Sequence, residues 1–145
     1  MSHFSKLIAA TGCLPVAAFS FLAAAQAVPV ELTERRDGYA LMRDGEPVFI
    51  AGAGGQSKLN DLKAAGGNSF RTWGHERADE NFADAEAHDL FVTMGLWLGH
   101  ERHGFDYDDP AQVEAQRQMV RDAVTAYRDQ PTLLMWGVGN EVALA

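Results

Sequence analysis

The residues of this chain that are suited to hydrogen bonding and proton transfer follow apolar segments, at the point where each segment ends. Trp73 follows one segment, with Arg71 just inside it, His100 follows the next, and Asn140 and Glu141 follow the last. An indole offers a flat apolar surface to the C–H face of a ring. Imidazole, guanidinium and amide groups form directed hydrogen bonds, and a carboxyl group can transfer a proton. Together these residue types suit a polyhydroxylated ligand.

The hydrophobic pattern predicts that strands and helices alternate along the chain. An Asp44-Gly45 turn predicts a β-hairpin between residues 39–43 and 46–51. Ser57 is expected to cap the first helix, which Gly66-Gly67 ends. Asp109 is expected to cap the last helix. The predicted buried strands are 47–51, 68–73, 91–98 and 133–138, with an acidic helix over 78–89 and an apolar stripe of Val113, Val120, Val124 and Tyr127 on the last helix.

Strand–helix alternation of this kind predicts parallel strands covered by helices. The carboxyl ends of parallel strands meet at one edge of the sheet, which is where α/β folds place their active sites. The polar residues gather at these ends, whereas the strand starts carry little beyond Asn68. Trp97 and Trp136 lie within apolar strands and are expected in the core.

The segment from Leu133 to Glu141, LLMWGVGNE, resembles the fourth-strand motif of retaining glycoside hydrolases with a TIM barrel, the clan that includes the family 2 and family 5 enzymes. The resemblance implies that Glu141 is the general acid/base and that Asn140 binds the sugar 2-hydroxyl. It also implies a retaining mechanism that uses two carboxyl groups about 5–5.5 Å apart.

Two further positions agree with the clan in order and spacing. Arg71 matches an arginine on the second barrel strand that supports the nucleophile, and His100 matches a histidine after the third. Both are expected to line the sugar site together with Trp73. The resemblance covers residues 46–141 and implies a carbohydrate substrate and no cofactor.

The expected fold is α/β, the first half of a (β/α)8 TIM barrel preceded by a β-hairpin. A full barrel takes about 250 residues, whereas this chain has 145. The clan's nucleophile lies on the seventh strand, and the last predicted strand here is the fourth. Residues 28–145 are therefore expected to form a partial barrel, truncated after strand four. Alone it is expected to be inactive and to self-associate through open sheet edges.

Residues 1–27 are predicted to be a secretory signal peptide. A weakly basic start precedes a largely apolar run, and Ala25-Gln26-Ala27 supplies a small-x-small cleavage pattern. This predicts a secreted or periplasmic protein that leaves the membrane after cleavage. A membrane anchor and a lipoprotein modified at Cys13 are the alternatives.

The composition excludes several classes of protein. Hydrophobic residues make up 47% of the chain and charged residues 22%, which excludes a disordered or coiled-coil chain. Twenty acidic against 12 basic residues give a net charge of −8, which argues against nucleic-acid binding. The single cysteine excludes a disulfide framework and a cysteine-based zinc site.

Metal binding is not expected. The run His100-Glu101-Arg102-His103 is one residue short of the zinc-peptidase spacing, and flanking glycines oppose a helix there. His103 is therefore expected to be a rim or structural residue. Asp106, Asp108 and Asp109 lack the spacing and final glutamate of a calcium-binding loop.

Two other classes of function stay open. The segment from Gly52 to Ser57, with Glu76 about 20 residues later, is similar to a dinucleotide-binding turn and would indicate an NAD-binding oxidoreductase of Rossmann type. A non-catalytic carbohydrate-binding module is the third interpretation.

Overall fold

The first part of the chain forms a three-stranded antiparallel sheet. The structure, a computed structural model, describes residues 26–142. The strand order is β1-β2-β3, with β1 Val30–Arg35, β2 Gly38–Arg43 and β3 Glu46–Pro47. The predicted hairpin at Asp44-Gly45 is confirmed, and both turn residues have the positive φ that a tight hairpin turn requires. Strand β1 was not predicted from the sequence.

The second sheet has four parallel strands in sequential order. These are β4 Gly52–Gly54, β5 Ser69–Arg71, β6 Phe91–Leu96 and β7 Leu133–Val138. The predicted parallel arrangement is therefore confirmed, and the four carboxyl ends lie along one edge of this sheet. The structure accordingly contains a mixed α/β architecture, a parallel sheet beside a separate antiparallel one.

The first parallel strand differs from the prediction. Phe49 and Ile50, expected in a buried strand, are 85% and 41% exposed, and the strand is formed by Gly52–Gly54, which was expected to be a loop. Glycine is required there because a Cβ at Gly52 would collide with Ser69 of β5. Gly52 and Gly54 thus lie in a strand, whereas Gly55, with a φ of +98°, lies in the loop that follows it.

The first helix also begins later than predicted. Helix α1 is Leu59–Ala64, and its N-cap is Lys58 in the left-handed region, with no side-chain cap, so the expected Ser57 cap is wrong. Its end is as predicted, because Gly66 takes a φ of +84° after the last turn.

The other two helices match their predictions closely. Helix α2 is Ala78–His88 and helix α3 is Pro110–Tyr127. Asp109 caps α3: its carboxylate accepts a hydrogen bond from the Ala111 N–H at 2.8 Å, and Gln112 donates to the other oxygen at 3.0 Å. The Asp109 carboxylate accepts both bonds and so stabilises the first helical turn.

The core lies between the parallel sheet and its helices. It contains eight buried side chains: Leu59, Phe70, Ala78, Phe82, Ala85, Leu90, Val92 and Met94. The predicted stripe of α3 is only half-buried, and Ala123 is the buried residue of that helix. Trp136 packs against the core as expected, but Trp97 is 40% exposed beyond the end of β6, so its core assignment is wrong.

Within residues 26–142, no helix is long and apolar enough to cross a membrane. The predicted signal peptide, with its anchor and lipoprotein alternatives, lies almost entirely outside these residues, since the described part begins at Gln26.

Candidate active site

Two predicted site residues, 69 positions apart in sequence, meet at the carboxyl edge of the parallel sheet. Arg71 ends β5, and its Nη2 donates a hydrogen bond to Oδ1 of Asn140, just beyond β7, at 3.2 Å. Because Asn140 accepts this bond through its oxygen, its NH2 group is left to donate to a ligand. Both side chains are half-buried, so the pair is held in place and still reaches solvent.

Trp73 belongs to the same group. The Arg71 guanidinium carbon lies 5.9 Å from the centroid of the indole ring, within range of a cation–π contact. The indole is 44% exposed and borders two glycines, Gly54 of β4 and Gly55 of the loop that follows it. A Cβ on Gly54 would lie 3.0 Å from the ring, so a side chain at that position would require the indole to shift by a few tenths of an ångström.

The backbone that carries Trp73 is fixed against β6. The Gly95 N–H donates to Oγ1 of Thr72 at 2.9 Å, and the Thr72 N–H donates to the Thr93 carbonyl at 3.1 Å. Residues 72 and 73 cross so close to Gly95 that any Cβ there would run into their backbone. No pattern in the sequence indicates this role for Gly95, because it depends on a contact between two strands.

Glu141 lies next to the Arg71–Asn140 pair in sequence but has a different partner. Its carboxylate is 3.5 Å from Nη2 of Arg102, and its side chain is 62% exposed. Its backbone is in the left-handed region, with a φ of +52°. Such a conformation is uncommon for a residue other than glycine and often occurs at functional sites. Arg102 was missed from the sequence, although its charge in the loop after the third parallel strand was the available signal.

His100 is buried rather than open to solvent. Only 3% of it is exposed, and its ring is stacked between Trp97, with centroids 5.0 Å apart, and His103, at 5.3 Å. Among the residues that the structure describes, neither ring nitrogen has a hydrogen-bond partner. A buried imidazole with two unpaired nitrogens is costly unless water or a ligand satisfies them.

The loop that carries His100 is tied to helix α3. The Gly99 N–H donates to Oε1 of Gln116 at 2.6 Å, and the Tyr107 hydroxyl donates to the Gly99 carbonyl at 2.8 Å. His100, Arg102 and Glu141 line a cavity of about 30 Å³, which is close to the volume of one water molecule. The loop therefore brings His100 and Arg102 to the same place as Glu141.

The structure thus assembles the five predicted site residues into two adjoining groups. One contains Arg71, Trp73 and Asn140, and the other contains His100 and Glu141; the consecutive residues 140 and 141 connect them. Across residues 26–142, no group of three or more metal-ligating side chains is close enough to hold a metal ion.

Two cavities border the sheet at different places. One of about 320 Å³ lies between α3 and the edge strand β7, and its lining, which includes Leu98, Arg117 and Val138, contains none of the predicted site residues. Another, of about 230 Å³, lies beside Trp73, between the loops after β4 and β5.

No family model matches this chain. A curated protein, the probable mannan endo-1,4-β-mannosidase C of Aspergillus terreus, is 34% identical over 61 residues, which are 42% of this chain and 14% of that protein.

Several solved structures share the fold at low sequence identity. The β-D-glucuronidase of Dictyoglomus thermophilum has a TM-score of 0.58 and 20% identity, covering 81% of this chain and 24% of its own. The exo-chitosanase of Amycolatopsis orientalis has a TM-score of 0.56 and 20% identity, covering 77% of this chain and 15% of its own. A glycosyl hydrolase family 2 member of Bacteroides cellulosilyticus has a TM-score of 0.55 and 17% identity, covering 79% and 17%.

These relatives and structural neighbours are glycosidases, and the chain spans less than a quarter of the length of each.

Proposed function

We propose that this chain carries the acid/base side of the active site of a retaining glycoside hydrolase whose catalytic domain is a TIM barrel. The observation that carries the proposal is the hydrogen bond between Arg71 and Asn140, beside Trp73, at the carboxyl edge of a parallel sheet. The glycosidase names of the relatives support the same class. Four sequential parallel strands support half of such a barrel.

Each residue has a distinct role in this proposal. Glu141 donates a proton to the leaving oxygen and later removes one from water. The free NH2 group of Asn140 donates to the sugar 2-hydroxyl, and Trp73 packs against the apolar face of the ring. Arg71 positions Asn140 and faces the space where a nucleophilic carboxylate would stand. His100, through its unpaired nitrogens, binds a sugar hydroxyl or an ordered water.

A general acid of this kind must be protonated near neutral pH, which a second carboxylate nearby and exclusion of water both favour. In residues 26–142 the carboxylate of Glu141 is exposed and lies 3.5 Å from Nη2 of Arg102, so these residues do not exclude water from it. We infer that the nucleophile and the groups that exclude water from Glu141 come from strands outside residues 26–142. The chain alone is then inactive.

The test is a hybrid enzyme. Residues 52–142 replace the corresponding segment of the A. terreus mannosidase, which retains its remaining strands, and turnover of aryl β-mannosides is measured. Glu141→Gln should lower turnover by about 10²- to 10⁴-fold, the usual contribution of a general acid. The loss should be smaller for a substrate whose leaving group needs no protonation.

The matched control is Glu86→Gln, an exposed carboxylate on α2, away from the carboxyl edge, which should leave turnover unchanged. A folded hybrid that has no turnover, or one in which Glu141→Gln matches the parent on both substrates, contradicts the proposal.

We also propose that the protein is exported, with cleavage after Ala27. Amino-terminal sequencing of the exported protein should then begin at Val28. A protein that retains the amino-terminal segment would contradict the signal peptide.

A further inference from the structure

A cavity of about 230 Å³ lies beside Trp73 and is distinct from the Arg71–Asn140 pair. The loops after β4 and β5 form it together with the start of helix α2. Its lining includes Gln56, Glu76 and Asn81 as well as the indole of Trp73. None of these three polar residues has a role in the chemistry assigned to Glu141.

The chemistry of this lining matches that of a sugar. Amide groups both donate and accept hydrogen bonds, and a carboxylate accepts from hydroxyl groups. Asn81 is 2% exposed and lies in the first turn of α2. The indole adds an apolar surface for the C–H face of a ring. The volume corresponds to about seven or eight water molecules, which is comparable to one sugar ring.

Glycine makes room for the carboxylate in this cavity. The carboxylate of Glu76 folds back onto Gly74, and a Cβ at that position would collide with it. A side chain at Gly74 would therefore displace Glu76 from its place in the lining.

Trp73 belongs to both the group around the Arg71–Asn140 pair and the lining of the cavity. The Arg71 guanidinium is 5.9 Å from the centroid of the Trp73 ring, and Trp73 is also one of the residues that line the cavity. Trp73 is therefore the residue that the Arg71–Asn140 group and the cavity lining share.

We propose that the cavity formed by Gln56, Glu76 and Asn81 is a second sugar-binding subsite, which binds the next sugar of an oligosaccharide substrate. The inference rests on the proposed glycosidase function and adds a preference for oligosaccharides over single sugars. Gln56 and Glu76 are then specificity residues, not catalytic residues.

The experiment is isothermal titration calorimetry of the full chain with mannose and with β-1,4-mannotetraose. The unsubstituted chain should bind the tetrasaccharide at least about 10-fold more tightly than mannose. Gln56→Ala and Glu76→Ala should each weaken tetrasaccharide binding by about 3- to 10-fold, the range for loss of a hydrogen bond or two. Neither should change mannose binding. Both residues lie in loops, and circular dichroism confirms that each variant is folded.

Gln118→Ala is the matched control, because Gln118 is exposed on helix α3 and its hydrogen-bond partners among residues 26–142 are Asp122 and Arg121 of the same helix. It should bind both sugars as the unsubstituted chain does.

The outcomes separate the two proposals. If neither sugar binds, the proposed function fails. If mannose binds and Asn140→Ala abolishes that binding, but Gln56→Ala and Glu76→Ala bind the tetrasaccharide like the control, the first site stands and the second subsite is overturned. Equal affinity for mannose and the tetrasaccharide would also overturn the second subsite.

Discussion

Replacing Gly95 by alanine tests how the Trp73 segment is positioned. Gly95 of β6 and Gly137 of β7 are register partners in neighbouring parallel strands. A methyl group on Gly95 would meet the backbone of residues 72 and 73, at distances that real Cβ atoms essentially never show. A methyl group on Gly137 would have its nearest neighbours at 3.9 Å, which is ordinary van der Waals contact. The two substitutions are chemically identical and differ in the space available.

The expected magnitudes follow from this difference. Overpacking lowers the free energy of unfolding by about 1–3 kcal/mol. The lower conformational entropy of the unfolded chain with alanine raises it by about 0.4–1 kcal/mol. Gly95→Ala should therefore lower the free energy of unfolding by about 1–2 kcal/mol, and Gly137→Ala should leave it unchanged or raise it slightly. Because the clash falls on the backbone of Trp73, Gly95→Ala should also weaken mannose binding.

The assay is urea unfolding followed by circular dichroism. The slope of the unfolding free energy against urea concentration should be the same for both variants, so that a change in midpoint reports a change in stability. Equal midpoints for Gly95→Ala and Gly137→Ala, or a destabilised Gly137→Ala, would show that the space around Gly95 does not limit the packing of residues 72 and 73.

Three other predictions concern the cap, the sheet edge and the indole. Asp109→Ala should lower the urea midpoint of unfolding at neutral pH. The Gln112 side chain and a backbone N–H hold the pKa of Asp109 below its usual value of 3.8. This stabilisation is therefore present above pH 3.8 and lost as the pH falls through the lower native pKa, so the urea midpoints of the unsubstituted chain and of Asp109→Ala should converge in acid. A difference between the two midpoints that does not change with pH would contradict the cap. Val138, 64% exposed on the edge strand β7, should promote self-association, so Val138→Lys should reduce the concentration-dependent mass seen by sedimentation; an unsubstituted chain that is monomeric throughout would contradict this. Trp73→Ala should weaken mannose binding at least about 5-fold, whereas Tyr39→Ala, an exposed aromatic of the antiparallel sheet, should not; equal effects would remove the indole from the site.

Local signals in the sequence predicted the later part of the fold well. Strand β7 has the predicted bounds, and the Asp109 cap places the start of α3 because the capping pattern lies within four consecutive residues. The Asp44-Gly45 turn is likewise a local signal, since both residues need a positive φ.

The first parallel strand could not be predicted in the same way. Gly52–Gly54 has the composition of a loop, and its strand geometry depends on the close approach of Ser69 and Trp73. The apolar Phe49 and Ile50 resemble a buried strand but lie on the surface of residues 26–142. Hydrophobic patterning alone does not show which neighbour, if any, covers such residues.

For the site, the sequence predicted which strand ends carry the functional residues but not their contacts. Arg71 and Asn140 meet because parallel strands place their ends on one edge. The Arg102–Glu141 contact and the burial of His100 between two rings depend on the course of one loop, which no spacing rule predicts.

The most direct test of the central claim is a crystal structure of the chain with β-1,4-mannobiose. We expect a sugar ring packed against Trp73, with one hydroxyl within hydrogen-bond distance of Nδ2 of Asn140. A disaccharide bound elsewhere on the molecule, with the Arg71–Asn140 edge unoccupied, would contradict it.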